Sequence, residues 1–396
     1  MKYDNGIKPV NKIELSESHI KLRVIALIIA VLVVIGSLIF IIVKYTTKDK
    51  GWNRIELTDN SINEQYYFDY ELGDSPTKEY KEVSNIYETS MTYAYSLFDS
   101  YKEYDNVNNV YYINNNPNKE IAIEGLLYNA FKDVKASNSN SIFLGPIVSY
   151  YNSLILANDL AYDPYTNEDI QAEIEEYINM INDKNHFELR LLDNNKIYLY
   201  TSTDFQKLVD DIGIGIINFN YLKNAFILDY LKEKLNNANF MSGYINSYDG
   251  YKVSLGSHIE YSYEIHDEHD KLADLVGTFK NSNKLNVVTF KNTVTSTSDN
   301  KLIKILPNGS RRTYYIDEND GLSKESVKYL CGYSTNNKLS DIALNMEKVY
   351  ISDNFDITKL NNDNKYIWIN DKVINYTDDK LKIDTLLDGY TTKLVQ

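Results

Sequence analysis

Residues 217–229 run Ile217-Asn218-Phe219-Asn220-Tyr221-Leu222-Lys223-Asn224-Ala225-Phe226-Ile227-Leu228-Asp229. From Leu222 onward the apolar residues recur at helical steps, which predicts a helix from about Leu222 to Leu235. Upstream, Phe187, Leu189 and Leu191 alternate with polar residues, Asp193-Asn194-Asn195 supplies a turn, and Ile197 and Leu199 alternate again, a β-hairpin pattern. Ile170, Ile174, Ile178 and Ile181 mark a helix with Asn167 as N-cap and Glu168 and Asp169 in its first turn. Leu126, Leu127, Ala130, Phe131 and Val134 mark another. Val83, Ile86, Tyr87, Met91, Ala94, Leu97, Phe98 and Tyr101 lie on one face of a long amphipathic helix.

Downstream the chain is richer in strand. Val287-Val288-Thr289-Phe290 is one candidate, and 301–316 forms a hairpin around Pro307-Asn308-Gly309. Tyr366-Ile367-Trp368-Ile369 pairs with Val373-Ile374-Asn375-Tyr376 around Asn370-Asp371. Helices and strands mix without regular βα alternation. The expected fold class is therefore α+β, with mixed or antiparallel sheets packed against helices in one large domain.

A single transmembrane helix is expected before that domain. Val24 to Val43 is a run of twenty residues without a charge, closed by Lys21 and Arg23 on one side and Lys44 on the other. That length matches a hydrocarbon core of ~30 Å. A cleaved signal peptide is the alternative, but its apolar region is usually only ~7–15 residues, and Lys44-Tyr45-Thr46-Thr47 offers no small-residue cleavage site. Five Lys/Arg precede the run and four follow closely, a slight bias toward a cytoplasmic N-terminus. The expected organisation is a cytoplasmic tail over 1–23, the membrane helix over 24–43, a polar stalk over 44–61 and an extracytoplasmic domain over 62–396, at the cell membrane. Residues 1–50 hold eight Lys/Arg against four Asp/Glu, net +4, in a chain of −15, so residues 51–396 carry −19. Such a domain is repelled by nucleic acid, which is excluded as a partner, and by anionic lipid.

Short motifs add little. His266-Asp267-Glu268-His269-Asp270 gathers metal-ligand types, but a zinc site needs three or four converging ligands, and a solvated loop is the expectation. Cys331, the sole cysteine, sits in the apolar stretch Lys328-Tyr329-Leu330-Cys331-Gly332 and is expected to be a buried, inert thiol. GxSxG, P-loop and GxGxxG patterns are absent, and glycine totals 16.

Three stretches in order resemble the FAD:protein FMN transferase (ApbE-like) family. Residues 217–229 align without gaps on LDLGGIAKGYAVD. The hydrophobic frame and Asp229 match, while Asn220 and Tyr221 stand for the paired glycines, Asn224 for the lysine and Ala225 for the next glycine. Residues 314–321 lie on HIIDPxTG, with Asp317 and Gly321 kept and Tyr314 in place of the histidine; upstream, Ser296-Thr297-Ser298 resembles STSG. Residues 340–345 lie on ADALST, with Asp341 kept and Asn345 for the threonine. Softer likenesses are Ile113-Asn114 and Phe143-Leu144-Gly145-Pro146; the family's glycine-rich VNLGG turn would fall at 246–250, where it is mostly unfilled and Gly250 is the one glycine.

The resemblance implies an enzyme that uses Mg²⁺ to transfer FMN from FAD to a threonine or serine of an exported flavoprotein acceptor. It places catalytic roles on Asp341 and Tyr314, Mg²⁺ between Asp341 and Asn345, and FAD against Asn220, Tyr221, Asn224, Thr297, Ser298 and Asp317. It also implies that the segments around Phe219, Ile316 and Asp341 surround one cleft. The replaced site letters leave a second reading open: a non-catalytic flavin-binding or protein-interaction relative, with no cofactor turned over. An unrelated surface domain is the third.

Overall fold

A nine-stranded sheet organises the molecule. The computed structural model describes residues 17–212, 215–256, 260–269, 272–281, 284–294 and 301–395. In spatial order the strands are Gly51–Ile55, Tyr66–Leu72, Gly243–Ser247, Tyr251–Ser254, Asn286–Lys291, Tyr329–Ser334, Lys365–Asn370, Val373–Tyr376 and Thr391–Leu394. Neighbours are antiparallel except the last pair, which is parallel. The fold is α+β, as expected.

The two-residue period of each strand sends side chains into two separate cores. Val288, Phe290, Leu330, Tyr366 and Trp368 join the large core under the helices. Val287, Tyr329, Cys331, Tyr333, Ile367 and Ile369 point the other way. There they meet Tyr263, Ile265, Val276 and Phe279 from a three-stranded sheet of Tyr261–His269, Leu272–Asn281 and Ile383–Thr385. Both faces are buried, so these strands lack an apolar/polar alternation.

The helices predicted by periodicity form at Pro76–Phe98, Gly125–Ala136, Glu168–Ile181 and Lys223–Asn237. Asn167 caps the third as expected, its side chain accepting from the amides of Asp169 and Ile170 at 3.0 and 3.2 Å. The Phe187–Leu192/Lys196–Thr201 hairpin turns through Asn194 and Asn195, both at positive φ. Cys331 is 1 % exposed, and burial pushes its thiol up to about 11.

Two expectations need correction. His266–Glu268 is not a solvated loop but part of the Tyr261–His269 strand; Asp267 is buried and accepts from the Tyr390 hydroxyl at 2.9 Å. The stretch expected as a stalk is largely built into the domain: Gly51–Ile55 is an edge strand, and Ile55 and Leu57 are buried in the core. All five residues of that strand pair with Phe68–Leu72, and only Trp52 and Arg54 among them face outward. Among the described residues, one helix is long and apolar enough to cross a membrane. It runs Glu17–Thr46, and Ile20–Leu38 within it packs against nothing in the protein.

Candidate functional site

A cleft of about 340 Å³ opens at the end of the sheet where Tyr66 pairs with Ser247. Asn218, Asn220, Tyr221, Lys223 and Asn224 form one of its walls. That segment is held in place by Asn114, whose side chain donates to the Ile217 carbonyl at 2.9 Å and accepts from the Ile217 amide at 2.8 Å. Asn220 is strained into the left-handed region at φ 44°. Its amide is met by the Asn218 side-chain oxygen at 2.8 Å, and its own side chain donates to the Tyr314 carbonyl at 2.8 Å. The 217–229 and 314–321 stretches therefore do meet at one cleft. The 246–250 turn joins them with Tyr248 and Asp249, and Gly250 there sits at φ 102°.

The polar groups of the cleft are tied to one another. The Tyr314 hydroxyl donates to Asn152 at 2.9 Å, and the Tyr101 hydroxyl accepts from Asn152 and Asn218 at 3.2 and 3.0 Å. Burial raises the Tyr314 phenol far above its usual value, so it stays neutral. Asn224, 2 % exposed, accepts from the Tyr66 hydroxyl at 2.5 Å and donates to Asp249 at 2.9 Å. Burial raises Asp249, against the opposing pull of the Asn224 and Ser247 hydrogen bonds.

Tyr221 leads out of the cleft into a second network. Its ring packs on Phe290 and Tyr315, with centroids 5.9 and 5.4 Å away. Its hydroxyl donates to Glu347 at 2.9 Å, and Ser141 donates to the same oxygen at 3.1 Å. The other oxygen of Glu347 has no hydrogen-bond partner among the described residues. Burial, reinforced by the charge of Glu318, pushes Glu347 up to about 7. An unpaired oxygen is tolerable there because the protonated carboxyl carries no charge to solvate.

Asp341 and Asn345 lie elsewhere. Both line a groove with Asp133, Lys348 and Lys359, outside the cleft. Their helix, Leu339–Tyr350, does reach the site, but through Glu347. On a helix Glu347 lies roughly 200–240° around from Asn345 and Asp341, so the three cannot share a face. The expected convergence of three segments on one cleft thus holds for two of them.

The donor set does not fit Mg²⁺. Asn345 spends its carbonyl on the Tyr366 hydroxyl at 2.6 Å and the Asn361 amide at 3.2 Å. The exposed Asp341 accepts from the Lys338 amide at 3.3 Å, and Lys348 and Lys359 supply positive charge where a cation would sit. Among the described residues, no three His, Cys, Asp or Glu side chains cluster as metal ligands. Asp317 is also removed from the cleft: it pairs with Lys324 at 2.9 Å and caps its own loop through the Asn319 amide at 2.9 Å. Thr297 and Ser298 lie outside the described residues. Sequence reasoning did not single out Tyr95 or Asn152; it placed Tyr101 only on a helix face, and Asn218, Tyr248 and Asp249 only within the motif-like stretches 217–229 and 246–250, without a site role.

No protein-family profile matches the chain, and no curated protein matches it by sequence. Solved structures do. The ApbE protein of Thermotoga maritima superposes with a TM-score of 0.55 at 14 % identity, covering 84 % of this chain and 97 % of that one. The flavin transferase ApbE of Vibrio cholerae gives 0.50 at 11 % identity, covering 81 % and 93 %. The chain has the ApbE-like fold. Within this fold Asp229 links two helices. It accepts from the Leu339 and Ser340 amides at 2.8 and 2.9 Å and from the Ser340 hydroxyl at 2.8 Å. Burial raises its carboxyl to about 6.

Proposed function

We propose that this chain is a membrane-anchored, extracytoplasmic protein that keeps the flavin-transferase cleft as a binding site and has given up FMN transfer. The observation that carries the reading is the fate of the residues at the diphosphate-handling positions. Asn224, standing for a lysine, is locked between Tyr66 and Asp249 and offers no charge. Asp341 and Asn345 face a lysine-lined groove outside the cleft. Tyr221, standing for a glycine, turns its ring onto Phe290 and Tyr315 and its hydroxyl onto Glu347. A cleft walled by Tyr95, Tyr101 and Tyr314, with amide groups between them, suits a flat ring with polar edges such as a flavin. The anchor is Val24–Val43, and a threonine- or serine-bearing exported flavoprotein is the acceptor that an active relative would serve.

The test uses the full chain in lipid nanodiscs with FAD, Mg²⁺ and a flavoprotein acceptor domain. Flavin absorbance should travel with the protein, and no AMP should appear. AMP release that depends on the acceptor would overturn the loss of transfer. Flavin that never co-migrates would sink the binding half and leave a protein-interaction module.

A further inference from the structure

We infer that the domain stands directly on the bilayer, with the end of the sheet that carries Trp52 seated in the lipid headgroups and the cleft held at the opposite end, facing away from the membrane. This rests on the proposed anchor and adds a fixed orientation to it. The partner class follows: a cleft at that height is offered to a water-soluble protein or a tall ectodomain, not to lipid or to an intramembrane segment.

The first argument is the length of the tether. The apolar helix ends at Thr46, and the chain is gripped by the domain two residues later. The Lys48 amide donates to the Thr77 hydroxyl at 3.0 Å, and the Lys48 ammonium lies 4.1 Å from the centre of the Tyr80 ring. Thr77 and Tyr80 belong to the first turns of Pro76–Phe98. Even fully extended, residues 46–52 span at most ~20 Å. A domain on so short a lead has one end beside the headgroups whichever way it tilts.

The second argument is what that end presents. Trp52 is 48 % exposed although it lies on a paired strand, and its ring packs only obliquely on Tyr244, 5.8 Å away. Met241, 41 % exposed, lies at the same end, because Ser242 bonds to the Glu71 amide beside Trp52. Lys48 and Lys50 flank them. Tryptophan with lysine at the end of an apolar helix is the side-chain set that settles at a membrane interface.

The third argument is the Pro76–Phe98 helix, which acts as a ruler. Its start is fixed to the tether, and its end delivers Tyr95, Phe98 and Asp99 to the cleft. Twenty-three residues of α-helix span about 34 Å. Strand Tyr66–Leu72 runs the opposite way beside it, from the cleft at Tyr66 to the membrane end at Leu72.

The chain has two tryptophans, and the other, Trp368, is buried. The full chain is placed in phosphatidylcholine vesicles with acyl chains brominated near the headgroup. Emission lost relative to unbrominated vesicles is compared for the native chain and Trp52→Phe. A second reporter is a fluorophore on Leu156→Cys, at the rim of the cleft; Cys331 is buried and escapes labelling. Strong quenching that Trp52→Phe removes, with the Leu156 label unquenched, is the expected result. A chain that resists alkaline extraction yet shows no Trp52 quenching, or equal quenching of both reporters, overturns the seated orientation while leaving the anchor intact. A chain released by alkaline extraction overturns the anchor itself.

Discussion

The Phe219–Asp229 segment and the start of the Leu339–Tyr350 helix are both aligned with site motifs of one family, and they have met different fates. The first still lines a cleft with Tyr314, through a 2.8 Å bond from Asn220. The second has its two motif residues turned onto an outer groove, and meets Tyr221 of the cleft through Glu347, one face away. They are joined by Asp229, which binds the amides of Leu339 and Ser340. The difference teaches that packing and chemistry separate cleanly here. The apolar residues of both segments fill the core, and their polar residues are held in internal hydrogen bonds.

The largest effect should come from the buried network around Glu347. Glu347 is raised to about 7 from an ordinary value near 4.5. The favourable protonated form is therefore fully present below about pH 4.5, and stability is lost as pH rises toward 7. Above that the buried charge costs about 3 kcal/mol. Glu347→Gln should flatten this decline in urea titrations at pH 5 and pH 8 and raise stability at the higher pH. An unchanged pH slope would show that Glu347 is already solvated.

Next comes the joint between the two regions. Asp229→Ala leaves two helix-start amides unpaired and should cost about 2 kcal/mol, read as a fall in thermal midpoint. Asn345→Ala removes the acceptor for the Tyr366 hydroxyl and should cost about 1 kcal/mol. Smallest is Asp341→Ala, expected within about 0.5 kcal/mol because the side chain is exposed. Addition of Mg²⁺ should move the midpoint of neither the native chain nor Asp341→Ala. A Mg²⁺-dependent rise lost in that variant would restore Asp341 as a metal ligand.

Much of the fold was legible because periodicity reports burial. Val83, Tyr87, Met91 and Ala94 mark the inner face of Pro76–Phe98, and each is fully buried. The strands buried on both faces were visible only as apolar runs, and nothing local ordered them in the sheet. Charged letters misled at 266–268, where a dense run of them looked like a loop. Asp267 is paired internally with Tyr390, more than a hundred residues away. The site was half legible. Asn220, Tyr221, Asn224 and Tyr314 do line the cleft. Asp317 was misplaced because its partner, Lys324, is a loop contact that no alignment of letters reveals.

By itself the sequence determined the apolar helix, the amphipathic helices, the hairpins and the order of motif remnants, since each depends on spacing along a few turns or strand residues. Only the tertiary structure decided which way those remnants point. Asp341, Asn345 and Glu347 are separated by a rotation about one helix axis, and that rotation is set by what Ile342, Ala343 and Met346 must bury against the sheet. The stalk was decided in the same way. Lys48 and Gly51–Ile55 are polar enough to be solvated, but pairing with Tyr66–Leu72 and a grip on Thr77 draw them into the domain. Hydrogen bonds between distant segments have no signature in local spacing.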